Sequence, residues 1–169
     1  MKTWLYLVLY ALIGFLFGVI RPLNSQRRYR ECIVSGSLCG VLTGFLMTEH
    51  GISTLLLGGV TVGLLISGRL DNIGDYFGLA MVWTMLLYYG SPPVVLSWIL
   101  VISAATLLDE ILTMYDFRGL LERLSEIHPL LNAILIISFI YGVLPLVGIV
   151  AFFVSEAAYK IGGMAIEKR

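Results

Sequence analysis

Ser67-Gly68-Arg69-Leu70-Asp71-Asn72-Ile73-Gly74-Asp75-Tyr76-Phe77-Gly78 places one basic and two acidic side chains within seven residues, between apolar runs long enough to enter a bilayer. A charge at the centre of a membrane helix costs roughly 3 kcal/mol on insertion scales, so charged residues at such depth mark a boundary or a used site. If the stretch is helical, Asp71 and Asp75 lie four apart and share one face. A second acidic group, Asp109, Glu110 and Asp116, follows a later apolar run and is expected to meet the first across a helix bundle.

Composition agrees with lipid as the solvent. The chain has 169 residues, of which 59% are hydrophobic and 13% charged, and its mean hydropathy is +0.93. These values take it out of the soluble globular class. Its formal charge is zero, so no net basic field draws it to nucleic acid, and no nucleic-acid partner is expected. The length suits about six or seven short spans with tight connections in one polytopic membrane domain. The expected fold is therefore an all-α integral membrane bundle, with the lipid bilayer as its first partner.

The spans follow from breaks in the apolar pattern. The first runs from about Trp4 to Ile20 and is expected to stop at Arg21-Pro22, where charge and the missing proline donor disfavour continuation. No small-x-small cleavage site follows it, so it reads as a retained span rather than a signal peptide. The second, near Ile33 to Thr48, carries Gly36, Gly40 and Gly44 at four-residue spacing. Glycines on one face let a neighbouring backbone approach, which is how helices associate in lipid. Gly14 with Gly18 and Gly59 with Gly63 repeat the pattern, so a tightly packed bundle is expected. Cys32 and Cys39, about 10 Å apart along that second helix, cannot bridge and read as small packing residues.

A third span is expected from about Ile52 to Gly68, a fourth up to about Tyr89 closed by Gly90-Ser91-Pro92-Pro93, and a fifth from Val94 to about Met114. Residues 116–129 read as a short amphipathic interfacial helix. The run from Leu130 to Gly163 would be about 50 Å long as one helix. Gly142-Val143-Leu144-Pro145 offers a break into spans near 130–144 and 146–162, with a single kinked helix as the alternative. On the seven-span division, Arg21, Arg27, Arg28, Arg30, Arg69, Arg118, Arg123, Lys160, Lys168 and Arg169 share one side and only Lys2 lies opposite. Loops rich in Lys and Arg stay cytoplasmic. The expected location is the cell membrane, multi-pass, with the amino terminus outside and the carboxyl terminus cytoplasmic. A faint echo between residues 14–21 and 63–69 hints at an internal repeat but is too short to carry an argument.

Two chemistries compete for the acids. Asp71, Asp75, Asp109 and Asp116 supply oxygen ligands of the kind Mg²⁺ takes, and Arg69 suits a phosphate. That set fits a cytoplasmic-face Mg²⁺-dependent enzyme acting on a lipid phosphate or nucleotide-activated lipid. The plainer reading makes the same residues helix caps and interfacial salt bridges. No catalytic motif is complete: Asp71 and Asp75 form a single DxxxD without the repeat that polyprenyl transferases carry, DGxxAR, GxSG, HExxH and CxxC are missing, and Asn72-Ile73-Gly74-Asp75 lacks the first glycine of GxGD. His50 and His128 are placed on opposite sides and cannot share a metal. Glu156 lies within Phe152-Phe153-Val154-Ser155-Glu156-Ala157-Ala158-Tyr159, where an acid should face the bundle and find a partner. The leading expectation is transport or permeation of a small solute or ion, with Asp75, Asp109, Glu110 and Glu156 as pathway or coupling groups. Membership of a larger membrane complex or a homo-oligomer fits the small-residue faces, and a purely structural subunit is the third reading.

Overall fold

A computed structural model describes residues 2–114 and 128–167. Among these the chain is entirely helical, with seven α-helices: α1 Thr3–Ser25, α2 Tyr29–Glu49, α3 Gly51–Ile66, α4 Ile73–Tyr89, α5 Leu96–Met114, α6 Pro129–Ile140 and α7 Leu146–Glu167. Three of them, α1, α2 and α7, are long and apolar enough to cross a membrane by length and composition. The expected interfacial helix, with Asp116, Arg118 and Arg123, lies outside the described residues.

Local chemistry sets the helix ends. At the end of α3 the Gly68 N–H donates to Leu65 O (3.2 Å) and the Arg69 N–H to Leu64 O (3.1 Å), while Gly68 sits at φ +72. This is the paired-bond ending in which a left-handed residue satisfies the last carbonyls. The same pair of bonds closes α6, from Gly142 to Phe139 O and from Val143 to Ser138 O. It also closes α1, where Arg27 takes the left-handed position at φ +58. The helix thus runs past Arg21-Pro22 to Ser25, beyond the expected stop. Proline removes only its own donor, and Pro22 O still accepts from Gln26 N at 3.0 Å. The break expected at residues 142–145 is present between α6 and α7.

The stretch of residues 67–78 is not one helix. Asn72 is the N-cap of α4, its side chain and the Asp75 carboxylate forming a reciprocal capping box. Asp71 therefore precedes the helix, and the two aspartates are not neighbours on a helical face. They meet instead through Asn72, whose Nδ2 donates to Asp71 Oδ1 and Asp75 Oδ2, each at 3.0 Å.

Helix pairing uses the glycine stripes. A Cβ on Gly36 would collide with Gly74 O and one on Gly40 with Gly78 O, so α2 and α4 touch backbone to backbone. Gly14 and Gly18 meet Ser155 O and Tyr159 O of α7 in the same way, and Gly59 and Gly63 lie against Ile102 and Thr106 of α5. In each pair the residue numbers rise together, so α1/α7, α2/α4 and α3/α5 run parallel. One end of the bundle joins the end of α1, the α3–α4 connection and the end of α7, through Arg21 Nη2 to Arg69 O (3.5 Å) and Gln26 Nε2 to Ile166 O (3.2 Å). The start of α6 lies there too, bonded to Asp109 near the end of α5. The other end holds Tyr6 against His50, ring centroids 5.6 Å apart.

Apolar side chains occupy both the interior and the outer surface. Tyr10, Leu46, Leu56 and Leu135 are fully buried, while Trp83, Leu87, Ile140 and Leu146 are exposed.

Candidate functional site

The three parallel pairs leave a central cavity of about 220 Å³ between them. Most of its wall is apolar, from residues such as Ile13, Phe17, Leu57 and Phe152, and the titratable groups reaching it include Asp75, Glu110, His128 and Glu156. Thr43, Thr61, Thr106, Ser155 and Tyr159 add hydroxyls. A mainly apolar concavity with a few convergent polar groups is the usual form of a small-molecule site. Toward the Tyr6 end it gives way to a packed cluster that includes Tyr10, Leu46, Met47 and Ala151. Beyond that cluster the Tyr10 hydroxyl donates to Ser53 Oγ at 3.2 Å, and Tyr6 Oη lies 3.1 Å from the same oxygen.

The acids named from the sequence are held in different ways. Asp75, 7% exposed, lines the cavity while its Oδ2 accepts from the Asn72 side chain (3.0 Å) and backbone (3.3 Å). Glu110 lines the cavity on α5 and is ion-paired with Arg69 Nε from the α3–α4 connection. Arg69 thus faces a carboxylate, and the pair closes the connection onto α5. Asp109, the next residue along the helix, points elsewhere because successive helical residues are turned about 100° apart. It is 1% exposed and accepts from Leu130 N (3.0 Å) and Leu131 N (2.8 Å). A carboxylate on the free N–H groups of α6 is a helix cap with favourable dipole alignment. Asp71 is on the surface, and Asp116 lies outside the described residues.

Glu156 differs from these. It projects into the cavity from α7 beside Ser155, and its Oε1 is enclosed with no hydrogen-bond partner among the described residues. No basic side chain among them forms an ion pair with it either; the ion pairs found are Arg28 with Glu31 and Arg69 with Glu110. The helix position places it one turn beyond Phe152 and one turn before Tyr159. All three reach the cavity, as their helical spacing on one face requires.

His128 is the residue that sequence reasoning placed only at the interface. It caps α6 at φ +46, and its ring reaches the cavity with Nδ1 enclosed and unpartnered among the described residues. Its position before Pro129 marked a helix start, but nothing in the sequence located that start at the cavity rim. The Tyr6–Tyr10–Ser53 hydroxyl cluster was also missed, since hydroxyls in apolar runs carry no sequence signal of their own.

As chemistry, the site offers carboxylates, one imidazole and hydroxyls in an apolar setting. Among the described residues, no three His, Cys, Asp or Glu side chains come together as a group able to hold a metal ion. Asp71 and Asp75 share one amide and Asp109 is turned to α6, so the ligand set expected for Mg²⁺ is not gathered by these three. The cysteines are free and buried, and the Cys32 and Cys39 thiols point to Ile20 O (3.5 Å) and Ile13 O (3.6 Å) of α1. Compared with known proteins, the chain matches no family model, no curated protein and no solved structure.

Proposed function

We propose that this chain is a multi-pass protein of the cell membrane that crosses the bilayer seven times and moves a small solute or ion through its central cavity. The observation that carries the reading is Glu156, which lines the cavity and whose Oε1 is enclosed without a hydrogen-bond partner among the described residues. An acid in such a place is expensive and is expected to have a use.

The membrane part of the proposal draws on the outer surface. Leu87 is 82% exposed and Ile140 is 73% exposed, an arrangement suited to hydrocarbon and a liability in water. Seven crossings draw support from direction. Helices α1 and α7 run parallel, which requires the chain between them, with five helices among the described residues, to return to the side on which α1 began. At 12 residues, α6 is about 18 Å long, and the 141–145 segment completes that crossing. The basic residues support the orientation. Arg21, Arg27, Arg28, Arg30 and Arg69 lie at the end where α1 finishes, which makes that end cytoplasmic and the amino terminus external.

The cavity reaches this cytoplasmic end through Asp75, Glu110 and His128 and is closed on the other side by the packed Tyr10 layer. That is the form of a carrier open toward one face. The Mg²⁺ enzyme reading finds less support, because Asp109 and Arg69 are engaged with α6 and Glu110. Reconstitution into vesicles tests the proposal. Solute uptake by wild type should exceed that of empty vesicles, and Glu156→Gln should lower it about tenfold with an unchanged melting temperature. Equal uptake by wild type and variant would overturn the role of Glu156.

A further inference from the structure

The chemistry around Glu156 narrows the solute. Building on the transport reading, we infer that the cavity binds a small organic monocation of the alkylammonium type, with Glu156 as counter-charge and Phe17, Phe152 and Tyr159 as its walls. Three observations converge on this class.

The first is charge. Glu110 is matched by Arg69, and Asp109 by the N-terminus of α6. Glu156 has no ion pair, and its Oε1 no hydrogen bond, among the described residues; His128 at the same cavity and Lys160 one turn along α7 act on it only from beyond ion-pair distance, so a single positive charge bound beside it complements it.

The second is the wall. The Phe17 and Tyr159 rings pack together 5.7 Å apart at 36°, and both line the cavity with Phe152. Ring faces attract a cation held within about 6 Å, and they accept the alkyl groups around it as well.

The third is what the wall lacks. A bare inorganic cation sheds its water only where several oxygens replace it, about six to eight for Ca²⁺. No metal-holding group is present among the described residues, and apolar side chains occupy most of the surface. An alkylammonium ion is weakly hydrated and asks for one carboxylate and apolar contact, which this cavity supplies. Its volume of about 220 Å³ is below the usual range of roughly 300–1,000 Å³ for drug-sized ligands. The expected ions are therefore small.

Equilibrium binding of radiolabelled tetraethylammonium to the purified full chain in detergent tests this. Saturable binding is expected, displaced by tetramethylammonium and unaffected by equal concentrations of Na⁺ or K⁺. Glu156→Gln should weaken it about tenfold, which corresponds to about 1.4 kcal/mol. Phe152→Leu and Tyr159→Leu should each weaken it about threefold, while Trp83→Leu, on the outer surface away from the cavity, leaves it unchanged. Phe152→Leu and Tyr159→Leu carry the test alone should Glu156→Gln fail to fold.

Displacement by K⁺ or Na⁺ would overturn the organic class and make this an inorganic-cation site. Absence of saturable binding, alongside Glu156-dependent uptake of another solute in vesicles, would overturn the inference and leave the transport reading standing. Absence of both binding and uptake would remove the two together.

Discussion

Two glycine-to-alanine changes, chemically identical, are expected to move stability in opposite directions. At Gly40 the added methyl would strike Gly78 O and lie 2.7 Å from Gly78 C and 2.8 Å from Gly78 Cα. All three are backbone atoms of α4, so the whole α2–α4 crossing must open. Overpacking of this kind costs about 1–3 kcal/mol, while replacing a helical glycine by alanine returns up to about 1 kcal/mol. The net is a loss of roughly 1–2 kcal/mol. At Gly58 the same methyl meets only Met47 Cε at 3.3 Å, the end of a flexible side chain that can move aside. There the backbone term dominates, and a gain of about 0.4–1 kcal/mol is expected. For a chain of this size 1 kcal/mol shifts a melting temperature by about 2–4 °C. Thermal melts in one detergent should therefore show Gly40→Ala several degrees below wild type and Gly58→Ala level with it or above. Shifts of the same sign and size at both sites would refute the backbone-contact assignment of α2 to α4.

Two further substitutions probe the acids assigned to structure. Asp109→Asn keeps an acceptor but loses the charge facing the α6 N-terminus, and should lower stability by about 1–2 kcal/mol; a wild-type melt for this variant would contradict the cap. Arg69→Met leaves the buried Glu110 carboxylate without its ion-pair partner. A double-mutant cycle with Glu110→Gln should accordingly return a coupling of about 1–3 kcal/mol, and a coupling near zero would show that the pair does not hold the α3–α4 connection to α5.

Much of the helical framework was legible because glycine and proline punctuate it. Gly68 ends α3, Gly90 ends α4, and Gly142 with Pro145 separates α6 from α7, whereas the Asn72 cap of α4 went unread. The four-residue glycine spacings marked close-packing faces, yet a spacing identifies a face and never its partner. That Gly14 and Gly18 pack against α7, over a hundred residues away, became visible only in three dimensions. Pro22 misled for a physical reason: a proline near the end of a helix removes one bond and leaves the remaining carbonyls usable, so α1 continued to Ser25. The acids were legible as residues needing explanation, while their partners were not. Asp109 and Glu110 are adjacent in the chain but face different elements, and the choice between cap, ion pair and cavity depends on what packs one turn away.

That difference in partners is what gives the cavity its meaning. A bundle in lipid must satisfy each inward polar group, since an unsatisfied one costs several kcal/mol. The fold meets this demand for Asp75 with Asn72, for Asp109 with two backbone N–H groups and for Glu110 with Arg69. All three solutions lie near the end of the bundle where the basic residues gather. Glu156 sits deeper, among Phe152, Ser155 and Tyr159, where Ser155 and Tyr159 offer hydroxyls. Its Oε1 nevertheless stays unbonded. A sequence built to stabilise this bundle would place a leucine or alanine there and recover the transfer energy of an apolar side chain. Local rules break where function requires it. His128 Nδ1 at the same cavity is left unpartnered among the described residues as well, so on the proposed transport reading Glu156 is the cavity acid whose partner is to be sought outside the protein.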